Sequence, residues 1–177
     1  MECPTCPEVS LGDWGEELLA HLGGQRYPLN ATFEITERCN LACVHCFINQ
    51  PAGSREARDR ELTLTEARAI LDQMAEAGCL TLLLTGGEVL LRPDFAEIYR
   101  HAVRKGMLVT VFTNGTLLAP GIADLLAEWP ARLVEVSLYG HSAETYESVT
   151  QVPGSYARCQ RGIELLQKRG VRLGLKA

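Results

Sequence analysis

Short apolar segments alternate with longer amphipathic segments along most of this chain, and that alternation restricts the folds open to it. Runs of apolar and β-branched residues predict strands, and segments with one apolar face at helical spacing predict helices. We expect strands at 31–36, 79–85, 108–112, 133–138 and 171–175, separated by helices at 63–77, 93–105, 120–128 and 155–169. Strands that alternate with helices form a parallel sheet with right-handed crossovers, so the fold class is α/β.

The alternation alone fits both a doubly wound sheet and a barrel. A complete eight-unit barrel takes about 250 residues, and this chain has 177. The fifth predicted strand is followed only by Lys176 and Ala177, with no helix to cover it. We therefore expect about five βα-type units with the last strand uncovered. The segment 50–60 contains proline, glycine and mixed charge, which predicts a mobile, solvated loop.

The charge balance and the lengths of the apolar runs argue against several classes of partner. The chain has 17 basic and 22 acidic side chains and a net charge of −5, which argues against binding to nucleic-acid phosphates. No apolar run reaches the roughly 18 residues that a membrane-spanning helix requires. The first residues do not resemble a secretory signal. We expect a cytoplasmic protein without nucleic-acid or membrane partners.

Three of the seven cysteines, Cys39, Cys43 and Cys46, fall within eight positions directly after the first predicted strand. Without export, metal binding or catalysis explains them better than disulfides. Three thiolates are too few for a closed tetrahedral zinc site, which takes four protein ligands. They suit a cubic four-iron cluster that leaves one iron open to another ligand. Zinc binding and ordinary thiols are the alternatives that the spacing leaves open.

The other four cysteines predict no second metal site. Cys79 and Cys159 stand alone, and we expect them to be small buried hydrophobic residues. Cys3 and Cys6 form a separate pair without further ligands nearby in the sequence. We expect that pair to be mobile and unliganded.

Every unusual polar or glycine-rich segment directly follows a predicted strand. The cysteines follow the first strand, 86–88 follows the second, 113–115 follows the third, and 137–140 closes the fourth. In parallel α/β folds the loops after the strands meet at one edge of the sheet, where active sites form. The sequence therefore predicts one site at this edge.

The cysteine motif after the first strand, together with Gly86-Gly87-Glu88 after the second, resembles the radical S-adenosylmethionine (SAM) superfamily. The resemblance runs from about residue 30 to the end of the chain. It implies a partial (β/α) barrel, with 1–29 as an N-terminal extension and 30–177 as a core domain that is incomplete at its C-terminus. The segments 152–155 and 170–176 are similar to enzymes that mature peptides and often carry a C-terminal extra-cluster (SPASM) domain.

The resemblance implies an oxidoreductase-type enzyme with two cofactors. Cys39, Cys43 and Cys46 would hold a four-iron, four-sulfur ([4Fe–4S]) cluster, whose fourth iron would take the amino and carboxylate groups of SAM. One electron from the reduced cluster would cleave SAM to methionine and a 5′-deoxyadenosyl radical, which abstracts hydrogen from a substrate. The expected substrate class is a peptide, and the expected electron donor is a flavodoxin or a ferredoxin.

The resemblance also implies which other residues contact SAM. Gly86 and Gly87 would let the backbone approach the ligand closely, and Glu88 would accept hydrogen bonds from its ammonium group. His45 would lie near the adenine, and Ser137 would bond the ribose or nearby atoms. Ordinary structural explanations exist as well: a tight turn for the glycines, packing for His45, and a backbone hydrogen bond for the Ser137 hydroxyl.

Asn114 belongs to an Asn-Gly pair. This is a common turn dipeptide, and in this position it is also a candidate contact to the cofactors. The sequence leaves two other functions open for the chain as a whole. One is a metal or iron–sulfur module that never binds SAM, and the other is an inactive fragment of a longer radical SAM enzyme.

Overall fold

The computed structural model describes residues 11–21, 23, 26–48 and 50–177. In chain order, its elements are α1 (Leu11–His21), β1 (Asn30–Thr36), β2 (Arg38–Cys39), β3 (Gln50–Pro51), α2 (Arg55–Asp59), α3 (Leu64–Glu76), β4 (Thr81–Gly86), a 3₁₀ turn (Val89–Leu91), α4 (Phe95–Arg104), β5 (Leu108–Thr113), α5 (Pro120–Glu128), β6 (Leu133–Ser137), α6 (Ala143–Thr150), α7 (Ser155–Gln167) and β7 (Leu173–Lys176). The five predicted strands and the four predicted helices are confirmed, and their ends shift by two residues at most.

Five of the strands form one sheet in the order β1-β4-β5-β6-β7, and every pairing in it is parallel. The order follows the chain without reversal, whereas a doubly wound sheet reverses at a switch point. This confirms the partial (β/α) barrel. β7 forms one edge of the sheet, and its Leu175 is 56% exposed, as expected for an uncovered last strand. The short strands β2 and β3 pair separately.

Alternate residues of the main strands fill the core between the sheet and its helices. The core side chains from β1, β4, β5 and β6 are all 8% exposed or less: Phe33, Ile35, Leu82, Leu84, Val109, Val111, Val134 and Val136. The residues between them point to the opposite face of the sheet, and most of them are partly exposed. That open face, together with the ends of the strands, is where the polar segments of the sequence meet.

Capping and an apolar face define the helices beside β4 and β5. At the start of α3, the Thr63 hydroxyl accepts from the N–H of Glu66 at 3.3 Å, and the Glu66 carboxylate accepts from the N–H of Thr63 at 2.8 Å. This is a capping box, as the sequence predicts. In α4, Tyr99 is fully buried and donates its hydroxyl to the carbonyl oxygen of Trp129 at 2.6 Å. α3 and α4 pack against each other and cover the strands that lead to the site.

The structure contains elements that the sequence does not reveal, namely α1, α2, α6, β2 and β3. The prediction of a mobile loop over 50–60 is wrong, because this segment holds β3 and α2. Its charged side chains are solvent-exposed, as predicted. Ser54 caps α2 by accepting from the N–H of Ala57 at 3.2 Å, and Ala57 is 1% exposed. α6 is short, yet its Tyr146 and Thr150 are fully buried. Both helices support the site described below.

Two further predictions concern the membrane and the isolated cysteines. Within the described part of the chain, no helix combines the length and the apolar character needed to cross a membrane. Cys79 and Cys159 are buried, at 7% and 0% exposure, which confirms the prediction for them. Cys3 and Cys6 lie outside the described residues.

Candidate cofactor site

The three clustered cysteines lie around one cavity at the carboxyl ends of the strands. Cys39 ends β2, and Cys43 and Cys46 follow in the next loop. The cavity measures about 530 Å³, and the three cysteines are part of its lining. The structure also places five of the other predicted site residues around it: His45, Gly86, Gly87, Asn114 and Ser137. Glu88 is not among the residues that line it.

The cysteine loop is attached to α6, which the sequence analysis missed. The N–H of Ala42 donates to the carbonyl oxygen of Thr150 at 3.0 Å. The N–H of Val44 donates to the carbonyl oxygen of Val149 at 2.9 Å. These two bonds satisfy carbonyl groups at the end of the helix and fix the loop that carries the cysteines.

An ion pair with little solvent exposure fixes the residue directly before Cys39. Arg38 is 5% exposed and donates from Nε and Nη2 to the two carboxylate oxygens of Glu61, at 2.7 and 3.1 Å. Burial on its own raises the pKa of Glu61, but hydrogen bonds from Arg38 and Thr36 outweigh it and hold that pKa below its usual range. A bidentate pair restrains orientation as well as distance, so it keeps β2 in register beside the 50–61 segment.

Gly86 and Gly87 allow the end of β4 to approach the chain that carries Cys39. A Cβ at Gly86, whose φ is +146°, would overlap the carbonyl oxygen of Thr36, and one at Gly87 would overlap the carbonyl oxygen of Arg38. The N–H of Gly87 donates to the Thr36 carbonyl at 2.7 Å, and the N–H of Glu88 donates to the Arg38 carbonyl at 2.8 Å. Because the two glycines have no side chains, this protein's own backbone can pack directly against them. Both glycines also line the cavity.

Glu88 joins the end of β4 to the end of β5. Its side chain is fully buried and accepts three hydrogen bonds: from the N–H of Leu90 at 3.1 Å, from the hydroxyl of Thr113 at 2.7 Å and from the N–H of Asn114 at 2.7 Å. Burial raises the pKa of its carboxyl group above the usual range, and the three donors offset this only in part. The predicted contact with the SAM ammonium stays a prediction, and the hydrogen bonds of this carboxylate in the structure go to the protein.

Two residues of the site, Asn40 and Thr116, escaped the sequence analysis. Asn40 donates from Nδ2 to the Thr116 hydroxyl at 2.8 Å, and that hydroxyl donates to Oδ1 of Asn114 at 2.6 Å. The amide nitrogen of Asn114 lies 3.8 Å from Sγ of Cys39. Loops that follow different strands thus meet beside Cys39. The sequence separation of 74 residues between Asn40 and Asn114 leaves no local pattern that could reveal this.

Aromatic rings line the other side of the cavity. The ring of His45 stands edge-on to Tyr139, with centroids 4.9 Å apart and planes at 76°, and Tyr139 lies against Tyr146 at 5.9 Å. Such edge-to-face pairs hold an aromatic ring in a defined orientation. Ser137 ends β6 beside Tyr139, and both line the cavity. The expected positions of His45 near adenine and Ser137 near ribose stay predictions.

Burial favours the protonated thiol at Cys39 and at Cys43. Burial raises the pKa of Cys39 to about 11, and burial followed by repulsion from Cys46 raises the pKa of Cys43. Metal binding to these thiols must therefore release protons. Across the described ranges, no three cysteine, histidine, aspartate or glutamate side chains lie close enough together to hold a single metal ion.

A family model described as Radical SAM superfamily matches residues 33–175. The chain belongs to the radical SAM superfamily. The AdoMet-dependent heme synthase of Methanosarcina barkeri is 40% identical over 141 residues, which are 80% of this chain and 40% of that protein. The antilisterial bacteriocin subtilosin biosynthesis protein AlbA of Bacillus subtilis is 34% identical over 145 residues, which are 81% of this chain and 32% of that protein. This radical SAM chain is thus similar to biosynthetic enzymes and spans two fifths or less of their length.

Solved structures confirm the fold of the radical SAM chain. Streptococcus suis SuiB bound to the precursor peptide SuiA has a TM-score of 0.75 at 18% identity, over 100% of this chain and 40% of that one. SuiB bound to S-adenosylmethionine also has a TM-score of 0.75, at 19% identity, over 96% of this chain and 40% of that one. At these identities the likeness shows the shared fold alone.

Proposed function

We propose that this chain carries the cofactor site of an enzyme that cleaves SAM reductively and abstracts hydrogen from a substrate. The observation that carries the proposal is the meeting of Cys39, Cys43 and Cys46 with Gly86 and Gly87 around one cavity. The two segments are far apart in sequence, and they meet because both follow parallel strands of one sheet. Membership in the radical SAM superfamily supports this chemistry in general terms.

The three cysteines are proposed to hold a [4Fe–4S] cluster. Soft thiolates are the usual ligands of iron–sulfur clusters. The residues fit such a cluster better than one zinc ion, because zinc takes four ligands around a single point and no such set converges within the described residues. When bound and reduced, the cluster supplies the electron that cleaves SAM to methionine and a 5′-deoxyadenosyl radical, which abstracts the hydrogen.

SAM is proposed to lie in the cavity beside the cysteines. Gly86 and Gly87 present backbone atoms there, the Ser137 hydroxyl is proposed to bond the ribose, and His45 is proposed to lie against the adenine, held by its edge-on contact with Tyr139. Phe112 also lines this space. Aromatic walls keep water away from reactive species.

Glu88 and Asn114 are also proposed to bind the cofactors. A carboxylate can accept about four hydrogen bonds, so a bond from the SAM ammonium to Glu88 would add to its three protein donors. Asn114 reaches Cys39 directly, at 3.8 Å. We also propose that 30–177 forms the core that binds the cofactors and that 1–29 is an extension to it.

A peptide is the proposed substrate class, and a flavodoxin or a ferredoxin is the proposed electron donor. Two similar proteins support the peptide: AlbA is named for biosynthesis of a bacteriocin, and SuiB is solved with a precursor peptide. The 40% identity to a heme synthase favours a second candidate, a precursor of heme. Transfer of deuterium from a labelled substrate into 5′-deoxyadenosine would distinguish the two classes.

Formation of 5′-deoxyadenosine tests the proposed reaction. The protein is loaded anaerobically with iron and sulfide, reduced with dithionite and given SAM, and the products are measured by mass spectrometry. We expect 5′-deoxyadenosine and methionine from the wild type and none from Cys43→Ala. Cys79→Ala, which changes a buried cysteine away from the cavity, is the matched control and should behave as the wild type does. A wild-type protein with an intact cluster and no 5′-deoxyadenosine would contradict the proposal and favour a metal module.

A further inference from the structure

Asn114 begins the loop after β5, and both polar atoms of its side chain have hydrogen-bond partners. It is 8% exposed. Its Oδ1 accepts from the N–H of Thr116 at 2.9 Å and from the Thr116 hydroxyl at 2.6 Å. Its Nδ2 lies 3.0 Å from Oδ1 of Asn40 and 3.8 Å from Sγ of Cys39.

These contacts settle which way the Asn114 amide faces. A backbone N–H can only donate, so the amide atom beside the N–H of Thr116 must be the oxygen. The NH₂ group therefore points to Asn40 and Cys39, and it has one hydrogen for each. The Thr116 hydroxyl accepts from Nδ2 of Asn40 at 2.8 Å, so the three side chains form a closed ring in which each donor meets an acceptor.

The main chain of Asn114 is anchored as firmly as its side chain. Its N–H donates to the fully buried carboxylate of Glu88 at 2.7 Å. The next residue, Gly115, has a φ of +74°, and a Cβ there would press against Val136. The turn is therefore fixed at the point where it presents the amide to the cysteine. A hydrogen bond shielded from water is electrostatically stronger than an exposed one.

We propose that Asn114 is a positioning residue that donates a hydrogen bond from Nδ2 to the Cys39 thiolate and thereby raises the reduction potential of the cluster. The proposal rests on the proposed function, since it requires Cys39 to be a cluster ligand. Hydrogen bonds to ligand sulfurs help set the potential of iron–sulfur clusters. The donor draws charge from the sulfur, which favours the reduced and more negative cluster. Leu41 also donates to Cys39, at 3.4 Å, but from its backbone, so of these two donors the one from Asn114 is removed by a side-chain substitution.

The test is a redox titration of the cluster-loaded protein, followed by its absorbance and its electron paramagnetic resonance (EPR) signal. Asn114→Leu removes the donor with little change in volume, and Asn114→Asp replaces the donor with an acceptor and adds negative charge. We expect both variants to shift the midpoint potential to more negative values, and Asn114→Asp to shift it further. Asn40→Ala is the control, because it removes a partner of the same amide and keeps the donor to Cys39; we expect a smaller shift or none.

The outcomes separate this inference from the proposed function. A wild-type protein that takes up no cluster would contradict the proposed function, and this inference with it. A wild-type cluster whose potential is unchanged in Asn114→Leu, or changed equally in Asn40→Ala, overturns this inference alone. If Asn114→Leu does not fold, as judged by circular dichroism, the comparison rests on Asn114→Asp, which has almost the same shape as the native residue.

Discussion

Replacing Glu88 with glutamine should destabilise the fold without changing its shape. The two carboxylate oxygens accept from Leu90, Thr113 and Asn114, and a glutamine offers one oxygen and one NH₂ group in their place. At least one buried or partly buried donor then loses its acceptor. Such a loss costs about 1–3 kcal/mol, which for a domain of this size lowers the unfolding temperature by about 2–12 °C.

Thermal unfolding of the metal-free protein, followed by circular dichroism, measures this effect. Glu34→Gln is the matched control, because Glu34 is exposed on β1; surface changes of this kind alter stability by about 0.5 kcal/mol or less. We expect Glu88→Gln to unfold well below both the control and the wild type. Equal unfolding temperatures for Glu88→Gln and Glu34→Gln would refute the argument that these three hydrogen bonds connect β4 to β5.

Two further predictions concern the segments around Cys39. Gly87→Ala places a methyl group against the Arg38 carbonyl and should lower both the iron bound per chain and the unfolding temperature. The control is Gly121→Ala, whose added methyl group meets nothing within 4 Å and should lower neither. Full iron content in Gly87→Ala would contradict this prediction. The lowered pKa of Glu61 means that its pairing stabilises the fold above the ordinary carboxyl pKa of about 4.3 and that this stability is lost as the pH falls through the lower folded pKa. The free energy of unfolding, measured with urea from pH 7 to pH 3, should therefore fall less steeply on acidification in Glu61→Gln than in the wild type. An identical pH dependence in the two proteins would refute the role of this pair.

The sequence predicts the main sheet well because its strands and helices repeat one local pattern. Each main strand is a short β-forming run, and three of the four predicted helices, α3, α4 and α7, end near a glycine. The sequence does not reveal α6, because this helix has eight residues and few of them are apolar. Its one local signal is the N-cap residue Ser142, whose side chain accepts from the N–H of Thr145 at 3.3 Å. The two-residue strands β2 and β3 are too short to show an alternation of apolar and polar residues.

The site is predictable where chemistry depends on spacing and unpredictable where it depends on long-range approach. Three cysteines within eight positions indicate a shared ligand wherever the loop lies. In contrast, Asn40 and Thr116 are ordinary polar residues until the fold brings them to Asn114. The burial of Glu88 is likewise not predictable from local sequence, since its donors Thr113 and Asn114 come from the next strand along the sheet.

The most direct test of the central claim is the EPR spectrum of the reduced, cluster-loaded protein with and without SAM. We expect the signal of a reduced [4Fe–4S] cluster whose shape changes when SAM is added, because SAM would bind the iron that the three cysteines would leave open. The account also predicts that Cys39→Ala, Cys43→Ala and Cys46→Ala each abolish that change while Cys79→Ala preserves it. A cluster signal that SAM leaves unchanged in the wild-type protein would contradict the account.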